Sequence, residues 1–303
     1  MEGHIPVLKE PIMEVFKGIQ GLFLDGTFGG GGHTQALLEQ NPLVHIIGLD
    51  VDPEAQARSE VLRKQFGDRF EFYALNFSNL EQLGKTFKGI LLDLGVSSFQ
   101  LDDANRGFSF MKEGPLDMRM NPQIGIPASL FLKTATPEEI TIAVRDYGEE
   151  PQWKSVVKAI LKSRVFESWE TTTEFVAFLL KNTFLAHSKK QGIHPATRVF
   201  QGIRIAVNKE LDHLEKGLKA AFRVLNKGGI LAVISFHSLE DRIVKRHFYE
   251  WCGRSVSRLD EQPRQLKTVS AELLSRKPII ATEEELCMNP RARSAKLRIL
   301  RKL

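Results

Sequence analysis

The chain has 303 residues, enough for one large domain or two smaller ones, and its 42% hydrophobic and 26% charged content is that of a soluble, folded protein. Its net charge of +5 is unevenly placed: residues 240–303 hold 15 Lys/Arg against 9 Asp/Glu, whereas residues 1–239 hold 27 against 28, so any attraction for a polyanion is C-terminal. Lys9 and Glu10 stand where a signal peptide carries its apolar core, no later apolar run approaches ~18 residues, and the two cysteines, Cys252 and Cys287, have no CxxC spacing; export, membrane spanning, a disulfide framework and a bound metal are all disfavoured, and a cytoplasmic location fits.

From Gly21 to Gly95, apolar runs alternate with helical patterns: GLFLD, HTQALLEQ, VHIIGLD, PEAQARSEVLRKQF, RFEFYAL, NLEQLGKTF and GILLDLG. Such alternation predicts βαβ units and a parallel sheet. The three clearest strands end in Asp25, Asp50 and Asp93. Open α/β sheets bind ligands beyond the carboxyl ends of their strands, so the three acids point towards one crevice. Between about Asp103 and Ile193 four amphipathic stretches replace the strands: PASLFLKTA, PEEITIAVRDY, PQWKSVVKAILKSRVF and TTEFVAFLLKNTFL, with helix starts at Thr136-Pro137 and at Thr171–Thr173 before Glu174. The pattern predicts a helical domain over residues 103–202, inserted into a core made of residues 1–102 and 203–303. After it, EKGLKAAFRVLNKGG reads as a helix closed by Gly228-Gly229, ILAVISF as a buried strand, LEDRIVKRHFYEW as a helix and AKLRIL as the last strand, with KPII a weaker strand before it.

The strongest local signal is Asp25-Gly-Thr-Phe-Gly-Gly-Gly-Gly-His33, a glycine-rich turn between a strand and a helix, where the backbone can approach a ligand closely and present N–H groups. No G-x-G-x-x-G register fits across Gly26–Gln35 and no Lys-Ser/Thr follows, which weakens dinucleotide and triphosphate readings. Asp50 ends the next strand, the placement that receives ribose hydroxyls in nucleoside-binding folds; Asp52 serves equally well as a helix cap before Pro53. Phe77, after the third strand, is an aromatic able to stack on a purine, although such a residue alone is more often core. The segment Asp93–Asp102 follows the fourth strand, where methyltransferases of this topology place the nucleophile beside the methyl group.

Together with these segments, RGFSF at Arg106–Phe110, PLDMRM at Pro115–Met120, YGEE at Tyr147–Glu150, HPATR with FQ at His194–Gln201, VN with EL at Val207–Leu211, SFHSLEDRIVK at Ser235–Lys245 and NPRARSAKLR at Asn289–Arg298 resemble the RsmH (MraW) family of bacterial 16S ribosomal RNA cytosine-N4-methyltransferases. The resemblance runs from His4-Ile-Pro-Val-Leu8 to Arg298. It implies an α/β fold, the class I S-adenosylmethionine-dependent methyltransferase fold with its Rossmann-like sheet, and a helical insertion that recognises substrate. It implies methyl transfer from S-adenosyl-L-methionine to N4 of a cytidine in the decoding centre of 16S rRNA, near the P site, with the small ribosomal subunit as partner and no membrane; a homodimer is left open. By the same resemblance Gly31, Gly32, His33, Asp50, Phe77, Asp93 and Gln100 hold the cofactor. Two positions depart from the family: Phe99 replaces the usual proline, and Gly202 a larger residue.

Cytosine N4 is a poor nucleophile because its lone pair is conjugated with the ring, so the enzyme must orient it and accept a proton. The (Asp/Asn/Ser)-Pro-Pro-aromatic motif of many amino-methyltransferases is absent, and Asp93, Ser97 and Ser98 occupy its place. Asp93, Asp117 and His237 are the candidates for acid–base work, His237 being equally readable as a structural histidine near a strand end. Arg106, Arg119, Arg198, Lys245, Arg246, Arg291 and Arg293 are candidates for RNA phosphates, each also suited to a salt bridge. A silent cofactor- or RNA-binding assembly protein would lose the Asp93–Gln100 segment, which is intact here. Methylation of a protein amide or small molecule fits the basic C-terminal surplus poorly.

Overall fold

The computed structural model describes residues 5–187, 194–255 and 268–303, so His4 of the N-terminal motif lies outside the described residues. The chain divides into two compact units, Met1–Gly95 with Leu211–Leu303, and Val96–Glu210. These boundaries lie outside those expected at 102/103 and 202/203. Helical structure begins at Ser98, soon after Gly95, and the helix Thr197–Asn208 runs unbroken across position 202 while burying Val199, Phe200 and Ile203 in the helical unit's own core.

The first unit is built on β1 (Gly21–Asp25), β2 (Val44–Asp50), β3 (Phe70–Ala74), β4 (Phe87–Asp93), β5 (Leu225–Ser235), β6 (Ala271–Leu273) and β7 (Lys296–Lys302). They form one seven-stranded sheet in the order β3-β2-β1-β4-β5-β7-β6; β1 to β5 are parallel, and β7 runs antiparallel to both β5 and β6. The parallel strands are nearly continuous apolar runs because both faces are covered. Successive residues go to opposite faces: Phe23, Ile46, Leu91 and Ala232 enter one core, and Leu24, Ile47, Leu92 and Val233 the other. The first core is closed by α1 (Lys9–Val15), α2 (Gly32–Gln40) and α3 (Pro53–Phe66), through Ile12, Leu37 and Leu62. On the second, α10 (Glu210–Val224) contributes Leu214 and Leu218, and α11 (Ser238–Trp251) contributes Val244 and Phe248; the labels α4 to α9 fall to the helical unit. Lys302 Nζ donates to the carbonyls of Phe222, Arg223 and Leu225 at 2.7, 3.2 and 2.8 Å, capping the end of α10 from β7.

Three local expectations change. The helix expected to run to Gly229 ends at Val224, because buried Leu225 pairs with Phe87 and starts β5; the register shifts before Ile230 pairs with Gly89. The segment NLEQL forms a 3-10 turn, Phe77–Leu83, rather than an α-helix. KPII is no strand: Ile279 alone bridges Leu297, Pro278 having no N–H for a ladder, while β6 lies earlier in the chain.

The second unit is helical: α4 (Ser98–Asp102), α5 (Ala128–Thr134), α6 (Pro137–Thr141), α7 (Trp153–Ser163), α8 (Thr172–Asn182) and α9 (Thr197–Asn208). Thr136 with Glu139 and Thr171 with Glu174 form the capping boxes that start α6 and α8. After α6 the chain widens into a π-helical turn, Ile142–Tyr147, closed by Gly148 N donating to Ala143 O at 2.9 Å. A side chain on Gly202 would overlap the Ala143 carbonyl, so the departure at this position lets α9 cross the π turn backbone to backbone.

Candidate functional site

Adjacent strands β2, β1 and β4 end in Asp50, Asp25 and Asp93, and the three carboxylates have different surroundings. Asp25 is 2% exposed; it accepts from Thr34 Oγ1 at 2.7 Å and from Thr27 N at 3.3 Å. Burial dominates, and its pKa is raised to about 6. Asp50 accepts from Gly29 N at 2.7 Å and Asp52 N at 2.9 Å; burial raises its pKa, opposed by those N–H groups. A carboxylate has about four acceptor positions, so with these donors and Val51 at least one is left for a further donor. The Asp93 N–H donates to Thr27 Oγ1 at 2.6 Å, and its Oδ2 lies 3.6 Å from His33 Nε2.

Between β1 and α2 the glycine turn takes conformations that side chains resist: Gly29 has φ +53° and Gly31, the N-cap of α2, has φ +75°. Phe28 folds inward, its ring 5.4 Å from those of both Phe70 and Phe72, and a Cβ on Gly31 or Gly48 would strike it. Pro6 covers Gly32, and the N-terminal segment is anchored by Glu285, whose Oε1 accepts from Leu8 N at 2.6 Å. Leu8 is fully buried at φ +54°, a conformation that persists because that bond and the core around it impose it.

His33 is 6% exposed, and neither ring nitrogen, nor Asp93 Oδ1, has a hydrogen-bond partner among the described residues. Buried polar atoms without partners are rare, so this pair beside a glycine turn suits a ligand that carries both donor and acceptor groups. Phe77 opens the turn capped by Asn76 and packs against Gly217 of α10, with its Cβ close to Gly26. The sheet unit thus brings together Gly31, Gly32, His33, Asp50, Phe77 and Asp93. Gln100 belongs to the helical unit, where it is buried and its Oε1 accepts from Ser97 N at 2.9 Å in the capping box of α4.

The remaining candidates separate by their partners. Asp117 and Arg119 form a two-bonded ion pair at 2.8 and 2.7 Å, so an acid–base candidate and a phosphate candidate neutralise one another. His237 caps α11: its Nδ1 accepts from Glu240 N at 3.4 Å, and Glu240 accepts from Phe236 N and His237 N at 2.8 and 3.3 Å. Arg106 differs from the exposed arginines in its burial. It is 8% exposed, donates to the carbonyls of Arg119 and Met120 at 3.2 and 2.8 Å, and braces the chain internally instead of facing a phosphate. Arg198 is half-buried and donates to Glu149 O at 3.2 Å; Arg246 pairs with Glu215. Lys245, Arg291 and Arg293 are exposed, Lys245 lying 5.2 Å over the Tyr249 ring.

Sequence reasoning missed Thr27, Thr34 and Arg58. The hydroxyls have no spacing signal, and Arg58 reads in sequence only as the i+4 partner of Glu54, to which it bonds at 3.3 Å. Asp52 is settled as a cap, accepting from Glu54 N at 3.1 Å.

A sheet ordered β3-β2-β1-β4-β5-β7-β6 with β7 antiparallel, carrying a glycine turn after β1 and an acid after β2, defines the class I S-adenosylmethionine-dependent methyltransferase fold. The chain belongs to the MraW methylase family, whose model matches residues 1–303. It is 44% identical to the "Ribosomal RNA small subunit methyltransferase H" of Heliobacterium modesticaldum over 315 residues, covering 99% of this chain and 98% of that one. With the protein of the same name from Ehrlichia canis it shares 42% identity over 306 residues, covering 99% and 100%. Among solved structures it is similar to an rRNA methylase from Streptococcus thermophilus at 10% identity and a TM-score of 0.41, covering 97% of this chain and 93% of that one, a likeness too distant to bear on chemistry.

Proposed function

We propose that this methylase transfers a methyl group from S-adenosyl-L-methionine to the N4 amino group of a cytidine in the decoding centre of 16S rRNA, within the small ribosomal subunit. The observation that carries the reading is buried His33, both ring nitrogens without a hydrogen-bond partner, set 3.6 Å from the half-buried Asp93 carboxylate beside the glycine turn of a chain whose close relatives are named as small-subunit rRNA methyltransferases.

Gly31, Gly32, His33, Asp50, Phe77 and Asp93 are the residues of the sheet unit that would hold the cofactor, which supplies an electrophilic methyl group on a sulfonium when bound. Asp50 offers its remaining acceptor capacity to the ribose, and Phe77 offers a ring to the adenine. Asp93 is the preferred proton acceptor, because it lies beside His33 and the glycine turn, whereas Asp117 is committed to Arg119; His237 uses Nδ1 in its helix cap and keeps a buried Nε2 3.3 Å from Glu240 Oε1. The helical unit is assigned to substrate recognition. Lys245, Arg291 and Arg293 are assigned to phosphates, since their side chains are exposed.

Incubating the protein with methyl-labelled S-adenosylmethionine and unmethylated small subunits, then digesting the RNA to nucleosides, tests the reading. Label in N4-methylcytidine supports it; label confined to C5-methylcytidine or to protein refutes it.

A further inference from the structure

Four consecutive glycines make a turn that is costly to order, since glycine loses more backbone freedom than any other residue. Something must select one conformation. Gly29 is held on both sides: its N–H donates to Asp50 Oδ2 at 2.7 Å, and its carbonyl, in the next peptide unit, accepts from Arg58 Nε at 3.1 Å. Arg58, on the second turn of α3, has a side chain only 16% exposed. Its Nη1 bonds to Glu54 at 3.3 Å, and its Nη2 lies 4.0 Å from the buried Asp52 carboxylate. Asp52 in turn starts α3 through its side chain and orients Asp50 through its N–H. A closed ring results: glycine turn, Asp50, Asp52, Arg58 and back to the turn.

We propose that Arg58 is a positioning residue for cofactor binding: by fixing the Gly29 carbonyl it holds the Gly29–Gly30 peptide unit, next to the Gly29 N–H bonded to Asp50, and with it the glycine turn in its binding conformation. This rests on the assignment of Asp50 and the turn to the cofactor. The unit that carries the Gly29 N–H is held through its own carbonyl, Phe28 O, which accepts from Gly31 N at 2.7 Å; the following Gly29–Gly30 unit is the one that Arg58 holds, and its rotation about Gly29 would disturb the backbone beside the Asp50 bond. That unit lies between two glycines, so no side chain opposes its rotation, and a charged donor makes a stronger bond to its carbonyl than a neutral one.

The test compares wild type with Arg58→Met, which keeps the stem, and Arg58→Lys, which keeps a charged donor. S-adenosylhomocysteine is the calorimetric probe, and amide exchange of the Gly29 N–H is followed without ligand. Loss of one charge-assisted bond is expected to weaken binding about tenfold in Arg58→Met, with Arg58→Lys recovering most of it. Gly29 exchange is expected to accelerate in Arg58→Met alone, and KM for S-adenosylmethionine to rise while kcat at saturation holds. Unchanged affinity and exchange in a folded Arg58→Met variant, or a loss in kcat without one in KM, overturns the proposal. If wild type itself fails to bind the probe, the cofactor assignment fails instead, and Gly29 exchange alone decides the clamp.

Discussion

Thr34 Oγ1 donates to Asp25 Oδ2 across 2.7 Å inside the sheet unit, so the acid that ends β1 is tied to the helix that follows the glycine turn. Its task is to hold the turn. Burial raises its pKa from 3.8 to about 6, which means that the folded protein favours the protonated acid. The corresponding stabilisation is fully present below pH 3.8 and is lost as pH rises through 6. By pH 8 the buried charge costs at most about 3 kcal/mol. Asp25→Asn, which keeps an acceptor for Thr34, is therefore expected to be more stable than wild type at pH 8, with the advantage shrinking towards pH 5. Thermal melts across that range check it; a constant offset would contradict the burial argument.

Replacing Asp50 by Ala removes the proposed ribose acceptor and the partner of Gly29 N. Hydrogen bonds to a charged group are worth roughly 1.5–3 kcal/mol, so S-adenosylhomocysteine affinity should fall at least about tenfold. Calorimetry on a folded variant with unchanged affinity would remove Asp50 from the cofactor site.

His237 caps α11 through Nδ1, while its buried Nε2 has no hydrogen-bond partner among the described residues. His237→Ala should lower stability by about 1 kcal/mol, whereas His237→Asn, a good N-cap, should keep both stability and methylation rate. An Asn variant that melts like wild type but has lost its methylation rate would return His237 to the catalytic list.

The C-terminal basic surplus includes exposed side chains and one, Arg246, that is paired with Glu215. Neutralising Lys245, Arg291 or Arg293 should each lower the salt slope of RNA binding by about 0.7–0.9 if it contacts a phosphate, while Arg246, paired with Glu215, should matter less. Binding to small subunits across a salt series reads this directly. Equal slopes for all four variants would place the RNA path elsewhere.

The alternating strands, the acids at their ends and the glycine turn were legible because period and turn chemistry are local properties. The helix-to-strand change at Leu225 was not: pairing with Phe87 overrides the helical pattern that reaches Gly229. Nor was Arg106 separable from the exposed arginines, since burial in carbonyl bonds leaves no mark on sequence spacing. His237 stood three residues before Glu240, a capping-box spacing disguised by histidine in place of serine or threonine. Arg58 was invisible for another reason. Its role depends on Gly29, 29 residues away, and only the folded turn brings the two together.

The most direct test of the central claim is mass spectrometry of 16S rRNA fragments from a strain lacking this protein, restored with either wild type or Asp93→Ala. The account predicts that N4 methylation of one decoding-centre cytidine disappears in the deletion strain, returns with wild type and stays absent or low with Asp93→Ala. An unchanged N4-methylcytidine signal in the deletion strain would contradict it.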